Sequence, residues 1–161
     1  MLISWNFILM DQIDKNILRC LQADATESVA DIAEKVGLST TPCWRRIQNL
    51  EKTGVIRCRV ALLEPSKLNL GVTVFVSVKT NQHNPDWLIK FANGISDINE
   101  VVEFYRMSGD VDYLLKIVVP DIKSFDAVYK RLIKVAEMFD VSSYFAMEQI
   151  KYTTALPVDY A

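Results

Sequence analysis

The stretch 37-GLSTTPCWRRIQNLEKTGVIRCR-59 decides the architecture of the N-terminal part of this chain. Ser39 is a helix-capping residue type, and Gly54 closes the run. Pro42 falls in the first turn, where a missing N–H costs nothing. On a wheel turning ~100° per residue, Cys43, Ile47 and Leu50 fall within about 60° of one another. Thr41, Arg45, Gln48 and Lys52 lie opposite, with Asn49 beside them and Arg46 at the flank. The spacing predicts an amphipathic helix whose polar face bears cations and hydrogen-bonding groups but no carboxylate.

Upstream, Asp11 can cap a helix carrying Ile13, Ile17, Leu18 and Leu21 on one stripe. Ser28 can cap a second, short helix with Val29, Ile32, Ala33 and Val36, closed by Gly37. Helix, short helix, tight turn and longer helix is the helix-turn-helix layout. Downstream of Gly54, VIRCRVALL has strand character, with Ile56, Cys58 and Val60 on one face and Arg57 and Arg59 on the other. That β segment suggests a winged variant.

Pro65 marks a break, after which the period changes. VTVFVSVK (72–79) alternates, and Pro85 opens a helix bearing Trp87, Leu88, Phe91 and Ile95. VVEFYRM (101–107) and DYLLKIVV (112–119) read as strands joined by the turn Ser108-Gly109-Asp110. Ile122, Phe125, Val128, Tyr129, Leu132, Ile133 and Ala136 mark a long helix, and SYFAMEQIKY (143–152) a final strand. The order β-α-β-β-α-β predicts a ferredoxin-like split βαβ sheet with both helices on one face. The fold class is therefore α+β: an N-terminal winged helix-turn-helix over 11–60, a linker strand over 61–71, and a βαββαβ sandwich over 72–157.

Composition narrows the function classes. The 161 residues are 50% hydrophobic and 24% charged, as in a globular protein with a real core. Five Gly and five Pro exclude a collagenous, linker-like or disordered chain. Net charge is only −2, so the global electrostatics say nothing about nucleic acid. Locally, residues 1–38 carry three basic and six acidic side chains, whereas 39–59 carry five basic against Glu51 alone. Such a positive island is where a polyanion would bind. Cys20, Cys43 and Cys58 are scattered, and with the single His83 in a polar loop they form neither a metal cluster nor a disulfide framework, which fits a reducing cytoplasm. MLISWNFILM (1–10) is too short to span a bilayer and lacks a signal peptide's basic start. It reads as an extra strand or tail, or as a start placed ahead of Met10.

The polar face of the third helix suits base edges and phosphates in a major groove. Arg45, Arg46, Gln48, Asn49 and Lys52 are the candidate DNA contacts on it. Ser39, Thr40 and Thr41 add phosphate contacts beside the free amides of the first turn. Arg57 and Arg59 sit where a wing would reach the next backbone segment. Trp44, at the edge of the apolar stripe, reads chiefly as packing against the second helix, with a groove contact as the other option. Cys43 reads as core. The competing reading is an ordinary solvated helix face.

Residues 11–68, from DQIDKNILRCLQ through GLSTTPCWRRIQNLEKTGVI to EPSKL, resemble the DNA-binding half of the Lrp/AsnC (feast/famine) transcriptional regulators. FYRMSGDVDYLLKIVVPDIKSFDAVYKRL and SYFAMEQIKYTTALP resemble that family's effector-sensing domain, so the resemblance spans residues 11 to about 157. It implies a winged helix-turn-helix joined by a strand to an αβ-sandwich of the RAM type. It also implies homodimers assembling to higher even oligomers such as octamers, and a small amino acid bound between subunits. TTPCW and SSYFAMEQIKYTTALP are most similar to the cysteine-responsive subgroup; cysteine or a leucine-like amino acid is the expected effector, with no other cofactor and no metal. The extension before Asp11 departs from the family pattern.

Carried over by position, the effector pocket comprises Met107, Ser108, Gly109, Asp110 and Asp112, with Ser143, Tyr144, Phe145 and Ala146 from the last strand. A turn around Gly109 can offer amides to a carboxylate, and Asp110 or Asp112 can take an ammonium group. Tyr144 and Met107 could select the side chain. A plain hairpin turn accounts equally well for Gly109-Asp110 taken alone.

The expected function is a cytoplasmic, sequence-specific regulator of amino-acid metabolism that binds double-stranded operator DNA, with no membrane partner and no catalysis. One rival is an amino-acid-sensing oligomer without DNA binding, which the basic helix face disfavours. The other is a small enzyme using Asp110 and Asp112 as paired carboxylates. Nothing near them in sequence supplies a nucleophile–base pair, a metal cluster or a phosphate loop.

Overall fold

In the computed structural model, which describes residues 10–82 and 84–161, the Asp11 carboxylate accepts the Asp14 amide at 2.9 Å and starts α1 (Gln12–Ala23). The strand or tail expected before Met10, and the loop placement of His83, fall on or against residues outside that description. Ser28 caps α2 (Val29–Val36) through the Asp31 amide, and Gly37 ends it at φ 72°, a left-handed conformation that glycine adopts without strain. Ser39 occupies the N-cap position of α3 (Thr40–Lys52), but its hydroxyl makes no capping bond. The apolar stripes read from the sequence meet in one core of Ile17, Leu18, Ile32, Ala33, Cys43, Ile47 and Leu50. Burying each large aliphatic side chain contributes roughly 1.5–3 kcal/mol.

The expected wing and linker strands do not form. The Ile56 amide folds back onto the Leu50 carbonyl, after which residues 57–64 pair with no strand among the described residues and leave Val60, Leu62 and Leu63 exposed. Pro65–Leu68 is a 3₁₀ turn capped by Glu64 rather than part of a strand. Alternation in a sequence supplies a pleated face but no hydrogen-bonding partner, and a strand persists only in a pair.

The chain divides into two compact units, 10–62 with 151–161, and 63–150. The second holds β1 (Val72–Lys79), α4 (Pro85–Ser96), β2 (Val101–Arg106), β3 (Tyr113–Val119), α5 (Ile122–Leu132) and β4 (Asp140–Phe145). The sheet is antiparallel throughout, in the order β2-β3-β1-β4, with a register irregularity between Val101 and Glu103. Val74, Val76 and Val78 of β1 and Leu115, Ile117 and Val119 of β3 share a core with Trp87, Phe91 and Ile95 of α4 and Phe125, Val128 and Leu132 of α5. Phe75, Tyr105 and Tyr144 lie on the opposite sheet face and are exposed.

Three boundaries differ from the sequence reading. The last strand covers 140–145, not 143–152, because the Ala146 amide reaches Thr73 and β1 offers no ladder before Val72. The last helix ends at Leu132 instead of continuing through Ala136; the Trp87 indole holds the Glu137 carbonyl at 2.9 Å in the turn that follows. Residues 151–157, expected with the sheet, belong to the helical unit.

Candidate nucleic-acid and effector sites

Arg45, Lys52 and Arg57 are exposed, and among the described residues no hydrogen bond or ion pair holds their side chains. Thr40, Thr41, Gln48 and Asn49 are exposed on the same helix and Ser39 at its start, while Cys43, Ile47 and Leu50 face inward. Burial pushes the Cys43 thiol pKa up and keeps it neutral. The face opposite the core is thus cationic and solvated.

Two of the five clustered cations are otherwise engaged. Arg46 Nη1 lies 2.8 Å from Asp14 Oδ1 and 2.8 Å from Asp11 Oδ2, tying α3 to the first turn of α1. Those carboxylates raise the Arg46 pKa further, and the Asp14 amide, followed by Arg46, lowers that of Asp11. Arg59 donates to Glu51 at 3.1 Å and to the Ala25 carbonyl at 3.4 Å. The polar face is not free of acid either, since Glu51 also accepts from Gln48 at 2.9 Å. Trp44 is 51% exposed and lies outside the helical core. The Asp11–Asp14–Arg46 bridge escaped the sequence reading; two acids one turn apart and an arginine at the stripe's flank were its only signal.

The expected effector residues form two groups. Met107, Ser108, Gly109, Asp110 and Asp112 share the β2–β3 turn, where Gly109 has φ 127° and only glycine is unstrained. The Met107 amide donates to the Asp112 carbonyl at 2.8 Å, and the Asp112 amide to Val78 at 3.0 Å. Asp112 Oδ2 accepts the Thr80 amide at 2.8 Å, so this carboxylate pins the turn to the end of β1. The turn continues from Tyr113, which pairs with Val78. Ser143, Tyr144 and Phe145 pair instead with Val76, Phe75 and Val74. Those groups are two strand spacings apart, about 10 Å, and displaced by roughly 7–17 Å along the strands. One sheet does not bring them together. Phe145 also turns to the helix side, edge-on to Phe125 at 5.2 Å. A separate hollow of about 680 Å³ is lined by Asn81, Tyr129, Ile133, Met138, Phe139 and Asp140, and includes none of the expected effector residues.

A three-helix unit whose third helix exposes Arg45 and Lys52 without partners among the described residues, in one chain with a split βαβ sheet, defines a helix-turn-helix protein with an αβ module. Residues 10–51 match the AsnC-type helix-turn-helix domain, and residues 73–156 the Lrp/AsnC ligand binding domain. The chain is 47% identical over 152 residues to the DNA-binding transcriptional activator DecR of Escherichia coli K12, covering 94% of this chain and 100% of that protein. It is similar to the crystal structure of an AsnC family transcriptional regulator from Agrobacterium tumefaciens, at 66% identity and TM-score 0.91, over 94% of this chain and 99% of that one. A transcriptional regulator from Neisseria meningitidis, solved in complex with L-Met, gives 33% identity and TM-score 0.89 over the same shares. The chain belongs to the Lrp/AsnC family of DNA-binding transcriptional regulators. No helix among the described residues is long and apolar enough to cross a membrane.

Proposed function

We propose that α3 is the recognition helix of a cytoplasmic regulator that reads operator DNA in the major groove and answers to a small amino acid. The observation that carries this reading is that exposed Arg45 and Lys52, on the face away from the core, have no partner among the described residues. Arg45 and Asn49 address base edges; Ser39, Thr40, Thr41 and Lys52 address phosphates, with Arg57 beyond the helix. Trp44, half exposed, lies against the backbone at the groove's rim. Arg46 and Arg59 act indirectly, by holding the helix through their ion pairs.

One recognition helix supplies too little discrimination, since a good bidentate contact is worth ~1–3 kcal/mol. Two copies must therefore be held on one body, on half-sites roughly 34 Å apart or a multiple of it. The exposed sheet face with Phe75, Tyr105 and Tyr144 supports contact between copies, in even-numbered assemblies up to an octamer. The separation of the two effector groups in one chain supports a pocket completed by a second copy. There the Ser108–Asp110 turn takes the effector carboxylate and Asp110 its ammonium, while Met107 and Tyr144 sort side chains. Cysteine and leucine-like amino acids, methionine among them, are the effectors to try. The protein is read as a regulator and not as a catalyst.

A gel-shift and anisotropy titration on genomic upstream DNA, with and without each amino acid, tests the reading. Arg45→Ala weakens binding by about 1–3 kcal/mol, roughly five- to 150-fold, and relaxes specificity at the base it meets, whereas Lys52→Ala weakens binding to all sequences alike and flattens the salt dependence. Arg46→Ala leaves the salt slope at its wild-type value, because its charge is spent inside the fold. Undiminished affinity in Arg45→Ala counts against α3 as the reading helix.

A further inference from the structure

The C-terminal segment is seated on α1 by three unlike contacts. Gln22 uses both ends of its carboxamide on one residue: Nε2 donates to the Leu156 carbonyl at 3.1 Å, and Oε1 accepts the Leu156 amide at 2.6 Å. The Leu156 side chain is 73% exposed, so the main chain is what is held. Val158, in the 3₁₀ turn Val158–Tyr160, packs against the helical core, and Asp159 pairs with Arg19, which Asn16 also holds at 2.7 Å. A main-chain clamp, an apolar anchor and an acid on a guanidinium together hold this segment on α1. Nothing in the sequence announced it, because its halves lie more than 130 residues apart.

Both ends of α1 are therefore tied. The first turn holds Arg46 of α3 through Asp11 and Asp14, and the last two turns hold the C-terminal segment through Arg19 and Gln22. The segment is also the direct continuation of β4: from Ala146 to Lys151 is five residues, at most about 17 Å of extended chain. We propose that α1 is the receptor for this strap, and that the strap relays the state of β4 to the recognition helix. A shift of Tyr144 and Phe145 pulls on residues 151–159, loads α1 at Gln22, and alters the hold on Arg46. The polar contacts are solvent-exposed and few, as a strap that must yield requires. The relay rests on the effector reading above; the strap itself does not.

Gln22→Ala in the full chain is the test, with a chain ending at Ile150 as a second variant. Hydrogen exchange of the C-terminal α1 amides, Leu18–Ala23, rises by about fivefold or more on losing the two Leu156 bonds. Binding to upstream DNA without amino acid is kept, and the shift caused by L-cysteine, L-leucine or L-methionine is lost. Unchanged α1 exchange in both variants overturns the strap, whatever the amino acids do. Faster exchange with a wild-type amino-acid response overturns the relay. A wild-type chain indifferent to all three amino acids refutes the effector reading and the relay with it, and leaves the strap to the exchange measurement.

Discussion

The helical unit keeps its candidate interface on one 13-residue helix, whereas the sheet unit spreads its candidate pocket over a turn and a strand on opposite sides of β1. A recognition helix needs one face of one element, and helical periodicity puts that face together locally. A pocket on a sheet depends on strand order and register, which no local pattern states. The contrast extends to single residues. Arg45 has no side-chain partner among the described residues, while Asp112, the equally prominent acid of the sheet unit, already has a bond to make.

The comparison can be broken most forcefully at the cores. Phe91 is fully buried and stacks on Trp87 at 4.8 Å, so Phe91→Ala should cost about 3–5 kcal/mol in the sheet unit. Denaturant unfolding followed by residue-specific exchange should show protection lost in β1 and β3 and kept in α1–α3. Loss in both units together would mean that they do not fold on separate cores.

Asp112 comes next. Removing its carboxylate frees the Thr80 amide, and Asp112→Ala should cost about 1–3 kcal/mol of sheet-unit stability. Asp112→Asn keeps an acceptor and should recover most of that. Calorimetry separates this structural part from any amino-acid response; a variant as stable as wild type would return Asp112 to a purely ligand-binding role.

Helix caps sharpen the comparison within the helical unit. Ser28 caps α2 through the Asp31 amide, so Ser28→Ala should cost ~1 kcal/mol. Ser39→Ala should change stability by only a few tenths, since its hydroxyl has no capping bond to lose. If its DNA affinity falls nevertheless, the hydroxyl is spent on phosphate.

The smallest effect is an acid dependence. The Asp11 pKa is lowered below 3.8, chiefly by the Asp14 amide and then by Arg46. A lowered folded-state value means that the stabilisation is complete above the unfolded value and is lost as pH falls through the folded one. Helical-unit stability should therefore decline below about pH 4, and Asp11→Asn should shrink that decline. An acid titration of thermal midpoints that is identical in the variant would remove Asp11 from the account.

Residue types and their periods alone determined the three helices and their core stripe, the βαββαβ order, and the exposed cationic face of α3. Each of those follows from contacts between residues a few positions apart, or from alternation along one strand. The tertiary structure decided that, among the described residues, VIRCRVALL and 146–152 form no strand, that Arg46 and Arg59 are spent on carboxylates, and that the effector residues divide. It alone revealed the strap on α1. Every one of those depends on which distant group arrives as a partner, and a hydrogen bond or ion pair is written in distance through space rather than in spacing along the chain.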